Sequence, residues 1–388
     1  MYALVHYVVG APTGLWCGIQ IVVCMFLVAN EIKGEIIMKT NTVVEILLLG
    51  LLSFGWSASF ADDLPQGIGD AVVQKMIQVE KPMGPEAVSI VRDPTAVGKP
   101  VGKRGPQTLK FTLEAQEVLG VLDAAAKTTY TYWTFNGKVP GPMLRGRVGD
   151  TIEITLKNNK NNSMIHNVDL HAVWGQGGGA ALTNVAPGEE KSFVFRAMNP
   201  GLYVYHCATP VIPQHISSGM YGMILIEPEG GLPKVDKEFY VMQGDMYAEG
   251  AGPEKEFSLE KLMAEQPTNV VMNGSAAALA TNPMKVKVGD VVRIFFGVGG
   301  PNLTSSFHII GAIFDKVYAG SLTSPPLTDV QTTLVPAAGS AMVEFTARVP
   351  AKYILVDHSL TRLLKGDVAI IQAEGPDQPD LFRPGKVK

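Results

Sequence analysis

One cysteine and several histidines of this sequence are spaced so that they could bind a redox metal. Seven residues separate Cys207 from His215, and four more separate His215 from Met220. A thiolate, an imidazole and a weak thioether, completed by a second imidazole, are the ligands of a blue-copper centre. His166 is the best candidate for that second imidazole. The spacing therefore predicts a type 1 copper site in the chain.

The cysteine content of the chain favours a metal ligand over a disulfide. Cys17 and Cys24 lie in an apolar leader, which leaves Cys207 alone in the folded body. A lone cysteine is usually a small buried hydrophobic residue. Four of the seven histidines nevertheless fall within residues 166–215, around this cysteine. Scattered core or surface histidines would rarely cluster in this way.

Strand periodicity predicts that the remaining histidines form a second site. Adjacent side chains of a strand point to opposite faces, so His206 and Cys207 can serve two different metals. Asp169 and His171 are two residues apart and share a face, whereas His166 lies at an odd spacing from both. Two histidines beside a carboxylate, with an open position, are typical of a catalytic metal that needs a further ligand.

The body of the chain repeats, and the second copy is the expected source of that ligand. The segments 142–154 and 195–206 recur at 283–294 and 345–358, and Asn136-Gly137 recurs as Asn273-Gly274. The offset drifts, as loop insertions between duplicated domains would cause. The second copy retains His308 and His358, and His358 aligns with His206 in this comparison.

Composition and periodicity predict an all-β protein of two tandem Greek-key β-sandwiches. Of the 388 residues, 46% are hydrophobic, 18% are charged and 41 are glycine. Alternating segments at 151–157, 191–196 and 201–206 are typical of strands, and 258–265 is the best short helix candidate. We expect the sandwiches to span residues 105–228 and 238–374. The net charge of −4 gives no basic surface for nucleic acid.

The remaining segments indicate export. Met38-Lys39 precedes an apolar run at 46–56, and Ser59-Phe60-Ala61 matches a signal-peptide cleavage site. We expect cleavage after Ala61 and a periplasmic mature protein with an N-terminal arm at 62–104 and a tail at 375–388. Residues 1–37 are interpreted as a misassigned upstream extension. A membrane anchor is the alternative, because residues 1–30 contain no Lys, Arg, Asp or Glu.

Several motifs closely resemble those of the copper-containing nitrite reductases, a family of two cupredoxin domains, over essentially the whole mature chain. The resemblance is greatest to the soluble domain of the outer-membrane nitrite reductases of Neisseria. The motifs are residues 166–171, 177–179, 205–208, 218–222, 306–311 and 356–359. One departure is Trp174, where such enzymes usually carry a small residue after the His-Ala pair.

The resemblance implies a cofactor, a reaction and an assembly. It implies about two coppers per chain, with an electron passing from type 1 to type 2 copper, where nitrite is reduced to nitric oxide. It also implies a homotrimer, in which His308 and His358 reach the neighbouring subunit's site, and a small electron donor, a cytochrome c or a cupredoxin. The implied residues are type 1 copper at His166, Cys207, His215 and Met220, type 2 copper at His171, His206 and His358, the catalytic pair Asp169 and His308, and Ile310 over the substrate.

Two other functions are compatible with a cupredoxin chain. A laccase-type multicopper oxidase needs paired His-x-His motifs, one of which brackets the cysteine, but here Cys207 is followed by Ala208. A non-catalytic electron carrier needs one copper site, which would leave Asp169, His171, His308 and His358 unexplained. Copper content distinguishes the three, at about two per chain for the reductase, about four for the oxidase and about one for the carrier.

Overall fold

The structure is a computed structural model that describes residues 87–385. The expected leader, the first part of the arm (62–86) and the end of the tail (386–388) lie outside the described residues. Within residues 87–385, no helix is both long and apolar enough to cross a membrane.

Eight strands form in the first repeat, and burial in one of them alternates with the strand period. In the strand that begins at Thr151, Ile152, Ile154 and Leu156 are buried while their neighbours are not. This confirms the strands predicted at 151–157, 191–196 and 201–206. The strands are β1 (Thr108–Asp123), β2 (Thr128–Phe135), β3 (Leu144–Arg147), β4 (Thr151–Asn158), β5 (Asp169–Leu170), β6 (Glu190–Arg196), β7 (Gly201–His206) and β8 (Tyr221–Glu227).

Thirteen further strands follow. They are β9 (Lys237–Met246), β10 (Ala248–Glu249), β11 (Glu254–Phe257), β12 (Asn269–Met272), β13 (Met284–Lys287), β14 (Val291–Gly300), β15 (Ser305–Ile310), β16 (Phe314–Ala319), β17 (Leu327–Val330), β18 (Thr332–Val335), β19 (Ser340–Thr346), β20 (Ala351–Asp357) and β21 (Val368–Glu374). The described part of the chain is therefore mostly β-sheet, as predicted.

Helices are few and short. They are α1 (Ile212–Ser217), α2 (Leu259–Met263), α3 (Ala278–Thr281) and the 3-10 turns Gln176–Leu182 and Leu360–Lys365. The helix predicted at 258–265 is confirmed as α2. The Ser258 side chain caps its N-terminus by accepting a hydrogen bond from the Lys261 backbone N–H.

The strands form four sheets, two for each repeat. The first repeat contributes the orders β10-β11-β2-β1-β4-β6 and β3-β8-β7-β5. The second contributes β12-β9-β14-β19-β16-β17 and β13-β21-β20-β15-β18. The β10–β11 hairpin comes from the second half of the chain but pairs in parallel with β2 of the first repeat, which the sequence did not predict.

Equivalent backbone hydrogen bonds show that the two repeats share the same turn. The backbone N–H of Gly149 donates to Ala197, and that of Gly289 donates to Ala347, both at 2.8 Å. Gly149 and Gly289 have positive φ angles of 89° and 96°. Residues with a side chain rarely adopt this conformation. The sequence repeat therefore corresponds to a repeated turn between strands.

The strand register places His358 differently from the sequence comparison. β7 pairs with β8 from Gly201 to His206, and β20 pairs with β21 from Ala351 to Val356. Val356 therefore takes the position of His206, and His358 follows two residues later, just beyond the end of β20. The simple alignment of His206 with His358 was wrong by two residues.

Each repeat has its own hydrophobic core, and a third cluster lies between them. The first core contains Ile154, Phe195, Cys207 and Met220. The core of the second repeat includes Phe307 and Phe345, and the cluster between the repeats includes Tyr221 and Phe295. A smaller fourth cluster, around Val356 and Ile370, also lies in the second repeat. The core of the first repeat thus includes two of the predicted copper ligands.

Candidate functional site

The structure brings His166, Cys207 and His215 into one buried group. The Cys207 Sγ lies 3.3 Å from His215 Nδ1 and 3.9 Å from His166 Nδ1. One ligand atom from each of the three residues falls within 4.8 Å of the others, and all three residues are buried. Both rings therefore turn the same nitrogen, Nδ1, toward the thiol.

Three elements position this group. Cys207 directly follows β7, and its backbone N–H donates to the Met220 carbonyl at 3.0 Å. Met220 is fully buried in the same core cluster as Cys207. His215 lies on α1, a short helix that the sequence did not predict. His166 lies outside the regular strands and is held by paired backbone hydrogen bonds to Val185.

Burial keeps this group electrically neutral. Desolvation lowers the pKa of His166 to about 4. It also lowers the pKa of His215 to about 4, assisted by the His166 ring and opposed by the Glu117 carboxylate. Burial raises the pKa of the Cys207 thiol. At neutral pH the imidazoles therefore have free lone pairs, which is the form that binds metals.

Two further residues that the sequence did not single out contact the thiol. The Asn167 backbone N–H donates to Cys207 Sγ at 3.5 Å, and Thr209 Oγ1 lies 3.4 Å from the same sulfur. The Asn167 side-chain oxygen accepts from the Ala208 backbone N–H at 2.7 Å. Asn167 therefore binds both the cysteine sulfur and the backbone directly after the cysteine. Its position beside His166 in the motif was the only available signal for this role.

Asp169, His171 and His206 form a second group on the other side of β7. The two Nε2 atoms of His171 and His206 are 3.1 Å apart, and Asp169 Oδ2 is 4.0 Å from His206 Nε2. His206 Nδ1 is 3.1 Å from the Cys207 carbonyl, which can only accept, so Nδ1 carries the proton. His206 thus presents Nε2 to His171. Desolvation, followed by the effect of His206, lowers the pKa of His171.

The two groups are separate, as predicted. Side-chain alternation along a strand, the predicted cause, explains this only in part. Asp169 pairs directly with His206 across β5 and β7, which holds the carboxylate beside the ring. Only Asp169–Leu170 is a strand in this region. The continuous strand assumed from residue 166 to 171 is absent from the described structure, because His166 turns aside to pair with Val185.

His308 and His358 lie together in the second repeat. Their ring centroids are 5.3 Å apart, and Ile310, 36% exposed, follows on the same strand as His308. His308 Nδ1 is 2.6 Å from the Gln331 carbonyl, so this nitrogen carries the proton and Nε2 is left free. Among the described residues of this single chain, neither histidine belongs to the group formed by Asp169.

A buried carboxylate holds the backbone beside this histidine pair. Asp357 is fully buried and accepts from the backbone N–H groups of Ser306 at 3.1 Å and Ser359 at 2.9 Å. Its second oxygen accepts from Arg362. The His358 N–H also donates to the Ser306 carbonyl at 2.8 Å. The turn that carries His358 is therefore fixed to β15, which carries His308.

Glycines and an exposed tryptophan shape the surface near the second group. Gly178 has a φ of +56°, and a Cβ there would collide with the Asp169 carboxylate. Only a glycine lets the loop pass so close to this acid. Trp174 is 83% exposed and donates to the Asn199 side chain at 2.9 Å. Together with Leu182 and Met198 it lines a surface groove.

The donor sets suit copper. The first group offers one sulfur and two neutral imidazole nitrogens within binding distance of a single ion, a combination that favours copper among the common metals. The second offers two imidazole nitrogens and a nearby carboxylate, with one side left for further ligands.

Comparison with known proteins agrees with these chemistries. A sequence profile of the multicopper oxidase family matches residues 121–231. The chain is 49% identical to a copper-containing nitrite reductase of Neisseria meningitidis over 284 residues, covering 71% of this chain and 72% of that one. It is 33% identical to a copper-containing nitrite reductase of Alcaligenes faecalis, covering 73% and 80%. A solved structure of the copper nitrite reductase of Nitrosomonas europaea matches with a TM-score of 0.63 and 34% identity, covering 70% and 96%.

Proposed function

This chain belongs to the copper-containing nitrite reductase family, and we propose that it reduces nitrite to nitric oxide, using one electron passed from a type 1 to a type 2 copper site. The overall reaction consumes nitrite, one electron and two protons and gives nitric oxide and water. The observation that carries the proposal is that His206 and Cys207, adjacent in sequence, lie in two different ligand groups. The shortest covalent route between the two sites is therefore a single peptide link.

In the proposed assignment, His166, Cys207, His215 and Met220 hold type 1 copper. The positions of the first three support it directly, because their donor atoms already converge. Met220 is supported by its burial beside Cys207 and by the backbone hydrogen bond between the two. Copper, when bound, supplies a one-electron carrier at this site and a Lewis acid for nitrite at the other.

His171, His206 and His358 are proposed to hold type 2 copper. Within one chain only two of these histidines come together, and His358 pairs with His308 instead. A homotrimer in which the second repeat of one chain meets the first repeat of its neighbour would complete the site. His171 and His358 are both exposed in the single chain, as an interface of this kind requires.

Asp169 and His308 are proposed to supply the protons. Cleavage of an N–O bond requires a proton on the departing oxygen, and carboxyl and imidazole groups are suitable general acids. Asp169 is only half-buried and reaches the open side of His206. His308 uses Nδ1 to bind the Gln331 carbonyl, which leaves Nε2 free to act on a substrate. Ile310, on the same strand, would cover the bound nitrite.

The cellular setting is also proposed. The secretory signal predicted at residues 38–61 supports a periplasmic enzyme, and a small cytochrome c or cupredoxin would deliver the electron. The multicopper oxidase profile alone would also permit an oxidase. However, the described residues hold only two groups of three or more potential metal-binding side chains, and neither resembles a trinuclear cluster.

The direct test measures copper content and product together. Purified, copper-loaded protein should bind about two coppers per chain and release nitric oxide from nitrite anaerobically when a chemical reductant is supplied. Cys207→Ser, which removes only the sulfur donor, is the matched control and should lose turnover. About four coppers with oxygen consumption, or about one copper without turnover, would contradict the proposal.

A further inference from the structure

A carboxylate lies directly behind one of the two buried imidazoles of the first group. Glu117 Oε1 is 3.7 Å from His166 Nε2, on the side of the ring opposite Cys207. His166 is fully buried, and its Nε2 is a buried polar atom without a hydrogen-bond partner. Glu117 is thus the charged group toward which the unsatisfied nitrogen points.

The position of Glu117 is fixed by the loop that precedes His166. Its carboxylate accepts from the Ser163 backbone N–H at 2.9 Å, from Ser163 Oγ at 2.8 Å and from the Met164 backbone N–H at 2.9 Å. The Glu117 backbone N–H donates in turn to Asn162 Oδ1 at 2.9 Å. Four hydrogen bonds therefore tie β1 to residues 162–164 and hold the carboxylate in place.

The chemistry of a metal-bound imidazole gives this arrangement a consequence. When Nδ1 of His166 binds a metal, Nε2 must carry the ring proton. A buried N–H without an acceptor is unfavourable, and the Glu117 carboxylate is the acceptor that lies beside this one. A carboxylate that accepts from a ligand histidine fixes its tautomer and makes it a stronger donor. A stronger, more negative donor environment stabilises Cu(II) relative to Cu(I).

We propose that Glu117 is a positioning residue that fixes the tautomer and orientation of His166 and lowers the reduction potential of the copper bound there. The inference rests on the proposed type 1 site. It predicts that the charge of Glu117, and not only its hydrogen bonds to the loop, affects the metal.

The test compares two isosteric variants on the same strand. Glu117→Gln keeps an oxygen acceptor but removes the charge beside His166. Glu114→Gln is the matched control, because Glu114 also lies on β1 and binds the same loop, through the Asn159 side chain at 2.8 Å. Spectroelectrochemical titration of the thiolate-to-copper band measures the midpoint potential of each protein.

The expected result is a potential higher in Glu117→Gln than in wild type by about 59 mV, which corresponds to a tenfold weaker preference for Cu(II) over Cu(I) in a one-electron couple. Glu114→Gln should shift it by much less. Equal shifts in the two variants, or none, would overturn the proposal. The thiolate-to-copper band of the wild-type protein tests the type 1 site separately. If that band is absent, the proposed function itself is refuted.

A second variant covers the case in which Glu117→Gln fails to fold. Glu117→Asp keeps the charge but withdraws it from the ring by one methylene, so the potential should rise above that of wild type by less than about 59 mV. Thermal unfolding of the metal-free proteins reports the loop contacts independently of copper. An unchanged potential in a destabilised Glu117→Asp protein would show that the residue only anchors the loop.

Discussion

The proposed division of each type 2 site between two chains predicts that two inactive variants can restore each other. Asp169→Asn damages only the first-repeat side of a site, and His358→Ala damages only the second-repeat side. In the single chain the two sides are separate, because the group of Asp169, His171 and His206 does not include His358. Each homotrimer of a single variant should therefore be nearly inactive, with every site carrying one lesion.

Mixed trimers should regain part of the activity. When the two chains mix equally, half of the first-repeat faces and half of the second-repeat faces are intact. About one interface in four then joins two intact faces, as expected for a closed ring with one kind of heterologous contact. Those sites are wild type in every proposed residue. Activity should therefore recover to about a quarter of the wild-type value per chain in the unfractionated mixture, and to about a third in trimers that contain both chains, because each of those has one wild-type site in three.

The assay uses co-expressed chains with two different tags, purified by both tags in succession so that only mixed assemblies remain. Their nitrite turnover is compared with that of each parent and with parents mixed after purification. Mixed assemblies that bind copper but remain as inactive as the parents would refute the shared site, because a site built within one chain always carries a lesion. The ligand assignments within each repeat would be unaffected by that result.

Four substitutions test individual roles. Cys207→Ser should abolish the intense thiolate-to-copper absorption while nitrite still binds at the second site, and survival of the colour would contradict the type 1 assignment. Asp169→Asn and His308→Asn should each keep both coppers but lower turnover by about 10²–10⁴-fold in steady-state assays, whereas loss of type 2 copper would argue for a ligand role. Asp357→Asn removes the charge that pairs with Arg362 and one acceptor oxygen of a buried side chain, so chemical denaturation should show a loss of about 1–3 kcal/mol, and metal analysis should show loss of type 2 copper only. Retention of both coppers with wild-type stability would contradict the role of Asp357.

Local sequence patterns were sufficient to predict that two separate side-chain groups form, one of His166, Cys207 and His215 and one of Asp169, His171 and His206. The spacing of Cys207, His215 and Met220 reflects a short connection between neighbouring strands β7 and β8, which a sequence displays directly. The opposite orientation of His206 and Cys207 follows from the strand period alone, and the structure has the two residues in separate groups. The burial pattern of β4 likewise follows from its alternating side chains.

Features that depend on distant parts of the chain could not be predicted. Glu117 and His166 are brought together by a loop folding onto β1, and no local pattern records that contact. The helix α1 interrupts the loop before Met220, although its sequence contains no clear helical period. The displacement of His358 from the position of His206 depends on where β20 ends, and strand ends are set by pairing with neighbours and not by the residues alone.

Electron paramagnetic resonance of the copper-loaded protein, recorded with and without nitrite, tests the central claim most directly. The account predicts two Cu(II) signals of similar intensity, one with the narrow hyperfine splitting of a thiolate-bound copper and one with the wide splitting of a histidine-bound copper. Nitrite should alter only the second signal, and Cys207→Ser should remove only the first. A single signal, or a spectrum that nitrite leaves unchanged, would contradict a nitrite reductase with two linked copper sites.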